Sequence, residues 1–259
     1  MNTYMQARTI LRHQVLNLLG LCARPANGIH ILNGHRTQGE PEPETFDRLL
    51  DRLAENVKFI RIEEAVQMIM KHEHPDRPLV AFTFDDGFTE CYDYFAPLLE
   101  KRGVNAMFFV NPNYVEGDDA YIHHFNNDIV LTPGKQPMRW KHLVDLSARG
   151  HIIAAHTMDH YMVNTDDEQT LHDQIDTCRR VIEEHLQKPC DYFAFPYGKL
   201  EHANLKAIDI ACRQYKYVFS QSDYKNYFSF GGRVINRRHF EPFWPYRHVN
   251  YFLSCNKSY

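Results

Sequence analysis

Thr83-Phe84-Asp85-Asp86-Gly87 follows directly on the apolar run Leu79-Val80-Ala81-Phe82, so two adjacent acids stand where a buried strand meets a turn. Neighbouring carboxylates repel, and a strand end suits both only where a cation or a proton is expected. Seventy residues on, the apolar run Ile152-Ile153-Ala154-Ala155 ends in His156-Thr157-Met158-Asp159-His160. One acid and two histidines make three N/O ligands, which suits a catalytic metal with an open position. The other acid is then free to act as a base. Each motif has a plain alternative. Asp and Gly favour turns, and among 16 histidines about one His-x-x-x-His pair arises by chance. Their shared position at strand ends is what lifts them above chance, and a helical turn after His156 would set His160 beside it. A third strand end, Phe193-Ala194-Phe195-Pro196-Tyr197-Gly198, forms a stiff turn able to offer a backbone N–H to a developing oxyanion.

These three stretches together resemble the polysaccharide deacetylases of carbohydrate esterase family 4, the NodB-homology domain, over about residues 28–219. The resemblance implies a distorted (β/α) barrel and metal-dependent hydrolysis of an N-acetyl group on a sugar. It assigns Asp85 as catalytic base, Asp86, His156 and His160 as metal ligands, and the Tyr197 backbone N–H to the oxyanion. On ligand type zinc fits such a set best, with cobalt and other divalent ions also accepted. Two departures stand out. The family's third motif usually opens with an Arg that braces the base, and here that position is Ala194, so Arg238 becomes the candidate brace. The late Leu-x-His that supplies the acid in many members has no counterpart. Instead, Ile31-Leu32-Asn33-Gly34-His35-Arg36 resembles the Tyr-His-Arg opening of the circularly permuted exopolysaccharide-deacetylase branch, which makes His35 the candidate acid. His239 and His248 are second choices, and Pro196, Trp244 and Arg238 are candidate substrate contacts.

Positioning these groups requires strands that end together. Apolar runs at 29–32, 58–60, 79–84, 106–110, 152–155, 192–195, 217–219 and 233–235 alternate with helical patterns at 43–55, 63–70, 92–102, 139–149, 165–186 and 203–213. Repeated β-α-β alternation predicts a parallel sheet, and this many units predicts an α/β barrel of about seven parallel strands with reactive groups at the strand C-termini. Thr165-Asp166-Asp167-Glu168 reads as a capping box. Residues 111–137 read as one long irregular loop, a length usually tied to function. No linker or repeat divides the chain, which is expected to be one catalytic domain over 1–259, with an N-terminal helical extension at 1–27 and the barrel at 28–259.

Composition narrows the partners. Charges are interspersed, with net charge −4 and no basic tract, which argues against nucleic acid. Six cysteines without CxxC spacing read as reduced thiols, and no apolar run approaches the roughly 18 residues of a membrane span. Arg12, His13, Gln14 and Asn17 interrupt what would be a signal peptide's apolar core. Positions 11, 15, 18 and 19 instead share one helical face, expected to dock on the domain, with peripheral membrane attachment as the second reading. The expected setting is therefore cytoplasmic or membrane-peripheral, and the expected substrate an acetamido sugar in surface-polysaccharide or glycolipid assembly. A small-amide amidase and a non-catalytic glycan-binding barrel are the competing readings.

Overall fold

The computed structural model describes residues 3–38 and 43–259, with the backbone alone for 3–10 and Leu200. In chain order it runs α1 (Thr3–Cys22), β1 (Gly28–Gly34), α2 (Pro43–Ala54), β2 (Lys58–Phe59), α3 (Ile62–Met70) and β3 (Pro78–Phe84). A π-helical turn leads into α4 (Ala96–Glu100), followed by β4 (Ala106–Val110), α5 (Pro112–Glu116), α6 (Asp119–His124), α7 (Trp140–Ala148), β5 (Ile152–Ala155) and α8 (Glu168–Leu186). The remainder is β6 (Tyr192–Ala194), α9 (Leu205–Gln214), β7 (Tyr217–Ser220), β8 (Phe228–Ser229), β9 (Val234–Asn236), β10 (Arg238–His239) and α10 (Tyr246–Leu253).

The strands join in the order β10-β1-β3-β4-β5-β6-β7-β9-β8, with β2 beside β3. Seven of them, β1, β3, β4, β5, β6, β7 and β9, make the expected parallel run. The additions, β2, β8 and β10, have two residues each, too short to carry a sequence period. Closure comes from residues 234–239: β9 pairs with β7, and three residues later β10 pairs with β1 at Leu32↔Arg238. One segment thus bridges the two edges of the curled sheet.

The strand period of two sorts each strand into two faces. Val80, Phe82 and Phe84 of β3 pack outward under the helices, in the same cluster as Phe46, Leu49, Leu50 and Leu53 of α2. Leu79 and Ala81 point the other way, with Ile29, Ile31, Phe109, Ala154, Ala194, Phe219 and Ile235, and α3 plugs this interior with Ile62, Ala65, Val66 and Ile69. Continuing the inward face of β3 past Ala81 gives Thr83 and then Asp85, both buried. The interior is therefore apolar at its lower end and polar at its mouth.

Three local expectations need correction. Residues 111–137 are not irregular but fold into α5, α6 and a second π-helical turn, Phe125–Ile129. These helices are five or six residues long, below the length at which a helical period shows. The cap of α8 is Asp167, whose carboxylate accepts from the Gln169 and Thr170 amides, while Thr165 Oγ1 accepts from Asp167 N. Helix α10 escaped the sequence reading. It packs on α1 at Gly20, where a Cβ would lie 2.2 Å from the Arg247 carbonyl oxygen, so only glycine permits the approach.

Candidate active site

Asp85 is 1 % exposed and almost fully bonded. The Arg237 guanidinium grips it like a fork, Nη1 donating to Oδ1 at 2.8 Å and Nη2 to Oδ2 at 2.9 Å, while Asn33 Nδ2 donates to Oδ2 at 2.9 Å. Arg237 is itself wholly buried, donates to Asn33 Oδ1 and Thr83 Oγ1, and lies over the Phe109 ring at 4.7 Å. Burial opposes ionisation of Asp85. The Arg237 charge, then His156 and the Arg237 hydrogen bonds, outweigh it and hold the carboxyl well below the usual carboxylate range. Arg237 therefore does the bracing expected of Arg238. The two arginines point to opposite sides of the closing strand, as pleating requires. Arg238 sits between the Tyr224 and Phe252 rings, at 4.0 and 4.1 Å from their centroids, away from the cleft.

Asp86, His156 and His160 converge beside it, all buried, with their ligand atoms within 4.8 Å of one another. His156 Nδ1 lies 2.8 Å from the Ala194 carbonyl oxygen, to which it donates, so Nε2 carries the free lone pair. That nitrogen is 3.7 Å from Asp86 Oδ1, and His160 Nε2 is 3.3 Å from the same oxygen. Burial lowers His156 to about 4 against the pull of Asp85, and holds His160 well below its ordinary value with help from His156. Both imidazoles are thus neutral and able to ligate. Burial, against His35 and with Asp85, raises Asp86 to about 7, and its Oδ1 has no hydrogen-bond partner among the described residues. A buried, unpartnered carboxylate oxygen facing two neutral imidazoles fits a divalent cation.

The turn holding the histidines is not helical. Thr157 (φ 64°) and His160 (φ 56°) are left-handed, as are Asp86 (71°) and Tyr197 (61°), so half of the eight non-glycine residues with positive φ among the described residues gather here. Such backbone persists only where its surroundings over-determine it. Asn111 Nδ2 donates to the carbonyls of His156 and Thr157, and Asp159 accepts from Asn113, the Tyr121 hydroxyl and Gln174. Gly198 (φ 68°) is obligatory, since a Cβ would meet Gln221 Cγ at 2.0 Å. Tyr197 projects from this turn with its ring edge-on to His160 at 4.6 Å.

Across the cleft, Glu241 receives His35 Nδ1 at 2.9 Å and His239 Nε2 at 3.0 Å on one oxygen, and the His35 backbone N–H on the other. Burial lowers the His35 pKa, but the Glu241 charge and hydrogen bond reverse this and raise it to about 9. The three carboxylates (Asp85, Asp86 and Glu241) and four histidines (His35, His156, His160 and His239) of both groups line one open cleft of about 340 Å³, with Ile129, Val130 and Leu131 as an apolar lip. Pro196, Trp244 and Arg238 are not among its lining residues. Trp244 meets the His239 ring instead, and His248 is buried against His13 of α1. Sequence reasoning missed Arg237, Asn33, Glu241 and Asn111, whose partners lie 45 or more residues away.

Residues 72–213 match the family model of polysaccharide deacetylase. The polysaccharide deacetylase-like YxkH of Bacillus subtilis (strain 168) is 22% identical over 147 residues, which are 57% of this chain but only 47% of that protein. Among solved structures, IcaB from Ammonifex degensii superposes with TM-score 0.70 at 22% identity, covering 90% of this chain and 99% of that one. The deacetylase PplD of Streptococcus pyogenes, solved with acetate, gives TM-score 0.64 at 18% identity over 87% and 97%. At these identities the structural likenesses establish the barrel fold, and the family model spans more than half of the chain. The chain belongs to the polysaccharide deacetylase family.

Proposed function

We propose that this chain is a metal-dependent N-deacetylase of acetamido sugars, acting on a poly- or oligosaccharide or a glycolipid and giving acetate and a free amine. The observation that carries it is the pairing of a buried Asp86–His156–His160 ligand group with two oppositely tuned neighbours in one cleft: Asp85, held ionised by Arg237, and His35, held protonated by Glu241. A divalent cation on those ligands, zinc by ligand type, supplies Lewis acidity toward the acetyl carbonyl and the attacking water. Asp85 removes the proton from that water, a role that needs a carboxylate still ionised at neutral pH. The Tyr197 turn would offer its backbone N–H to the oxyanion. An amide nitrogen leaves only when protonated, and His35 delivers that proton. Water thus adds across the C–N bond with no other reactant consumed. The apolar lip and the open mouth support a saccharide rather than a small enclosed amide.

The test is acetate release after zinc reconstitution, across N-acetylated oligosaccharides and small amides. Asp85→Asn should keep its metal and lose turnover by about 10²–10⁴-fold, the usual contribution of a general base. Equal turnover in the variant, or release from small amides alone, would remove this reading.

A further inference from the structure

We infer that the outward face of α1 attaches this protein to the surface of an anionic lipid bilayer. The inference goes beyond the proposed chemistry and does not depend on it. Helix α1 is apolar on two opposite sides. The inner side, at Leu16 and Gly20, is taken up by α10. On the outer side Leu11, Val15 and Leu18 recur at i, i+4 and i+7, the spacing of one helical stripe, and they are 65 %, 45 % and 69 % exposed. Leu19 and Leu21 beside them are also exposed. No described part of the chain covers this stripe, and leaving it in water wastes the burial that drives association.

Charge selects the occupant. The first 34 residues contain three arginines (Arg8, Arg12 and Arg24) and no Asp, Glu or Lys, in a chain whose net charge is −4. Arg12 and Arg24 are exposed. An acidic protein with one basic, leucine-striped end complements an anionic apolar interface, where leucines enter the acyl boundary and arginines reach the headgroups. A second copy of this chain would instead bring like charges together. The helix lies on the surface rather than crossing, because no helix among the described residues is long and apolar enough to span. Trp244, half-buried, lines a groove with Arg12 and Leu16, and its ring contacts His239 on the rim of the cleft. Trp244 is thus the one side chain between the inner side of the attached helix and the candidate active site.

The test is co-sedimentation of the intact chain with vesicles of phosphatidylcholine alone and of phosphatidylcholine with phosphatidylglycerol at three to one. The chain should partition onto the anionic vesicles about tenfold better than onto the neutral ones, with the difference lost in 0.5 M NaCl. Leu11→Gln, Val15→Gln and Leu18→Gln combined should cut binding at least about tenfold while leaving the thermal midpoint in place, since all three side chains are already exposed. Asp85→Asn should bind as wild type does, so a failure of the proposed reaction would not register here. Absence of binding to either vesicle, or unchanged binding of the triple variant, would overturn the inference. So would a concentration-dependent dimer that the triple variant abolishes without any vesicle binding.

Discussion

Arg237→Met separates the brace from the base it holds. The guanidinium is fully buried and makes four hydrogen bonds, two of them to Asp85. Methionine fills much of the same volume over Phe109 but leaves the Asp85 carboxylate with only the Asn33 amide. Removing one partner of a buried ion pair costs about 3–5 kcal/mol, a large part of the 5–15 kcal/mol typical of a whole domain. The sign of the pH effect follows from the charges. In the wild type the depressed Asp85 adds stability above its unfolded-state pKa of about 3.9, and this is lost as pH falls through the folded value. In Arg237→Met burial is opposed only by the weaker pull of His156 and His35 and by the Asn33 amide, the carboxyl moves up, and ionising it destabilises the protein as pH rises. The acidic limb of kcat/KM, set by the ionised base, should shift to higher pH, with activity down at least about tenfold near pH 6 and less at pH 8, a tenfold loss being about 1.4 kcal/mol of barrier. Arg237→Lys keeps the charge without the fork and should fall between the two. Arg238→Met is the neighbouring control: it loses stacking worth about 1 kcal/mol and should leave the pH profile alone. The experiment is urea unfolding beside acetate-release profiles for all three variants. An unmoved acidic limb in Arg237→Met, or a shift of the same size in Arg238→Met, would refute the assignment of the brace.

Two further perturbations address the acid and the oxyanion turn. His35 must be protonated to act, so activity should fall as pH rises through about 9; Glu241→Gln removes the charge that sustains this and should bring the basic limb down toward the ordinary imidazole value of about 6.5 or below, and an unmoved limb would exclude His35 as the acid. Gly198→Ala forces a Cβ into Gln221 Cγ at 2.0 Å on a left-handed backbone, which should cost about 1–3 kcal/mol and lower kcat with metal content unchanged. Full activity in that variant would take the Tyr197 turn out of the reaction.

The sequence made legible what continuous strands carry. Asp85 continues the phase of Leu79, Ala81 and Thr83, and His156 follows directly on Ile152–Ala155, so apolar runs of four to seven residues pointed at both. The brace was not legible for the same reason turned round. Arg237 lies between β9 and β10, of three and two residues, and no period over so few positions tells which of two adjacent arginines faces inward. Only the pairing of this segment with both β7 and β1 fixes its phase, and the β1 pairing, Leu32↔Arg238, joins residues far apart in the chain. The helices in 111–137 were hidden similarly, since Asp159–Tyr121 and Asn126–Tyr114 bonds rather than local periodicity hold them.

The closing segment has a consequence for how the site is assembled. Arg237, which sets Asp85, and Glu241, which sets His35, lie four positions apart on the one stretch that closes the barrel. Asp86, His156 and His160 belong instead to the ends of β3 and β5, two strands that both pair with β4 and need no help from residues 234–241. The proposed metal site therefore depends on the middle of the sheet, while the protonation states of the proposed base and acid depend on its closure. An opening confined to that edge would release the brace and the acid's partner together and leave the ligand group in place, so the site would hold its cation and yet be unable to move a proton in either direction.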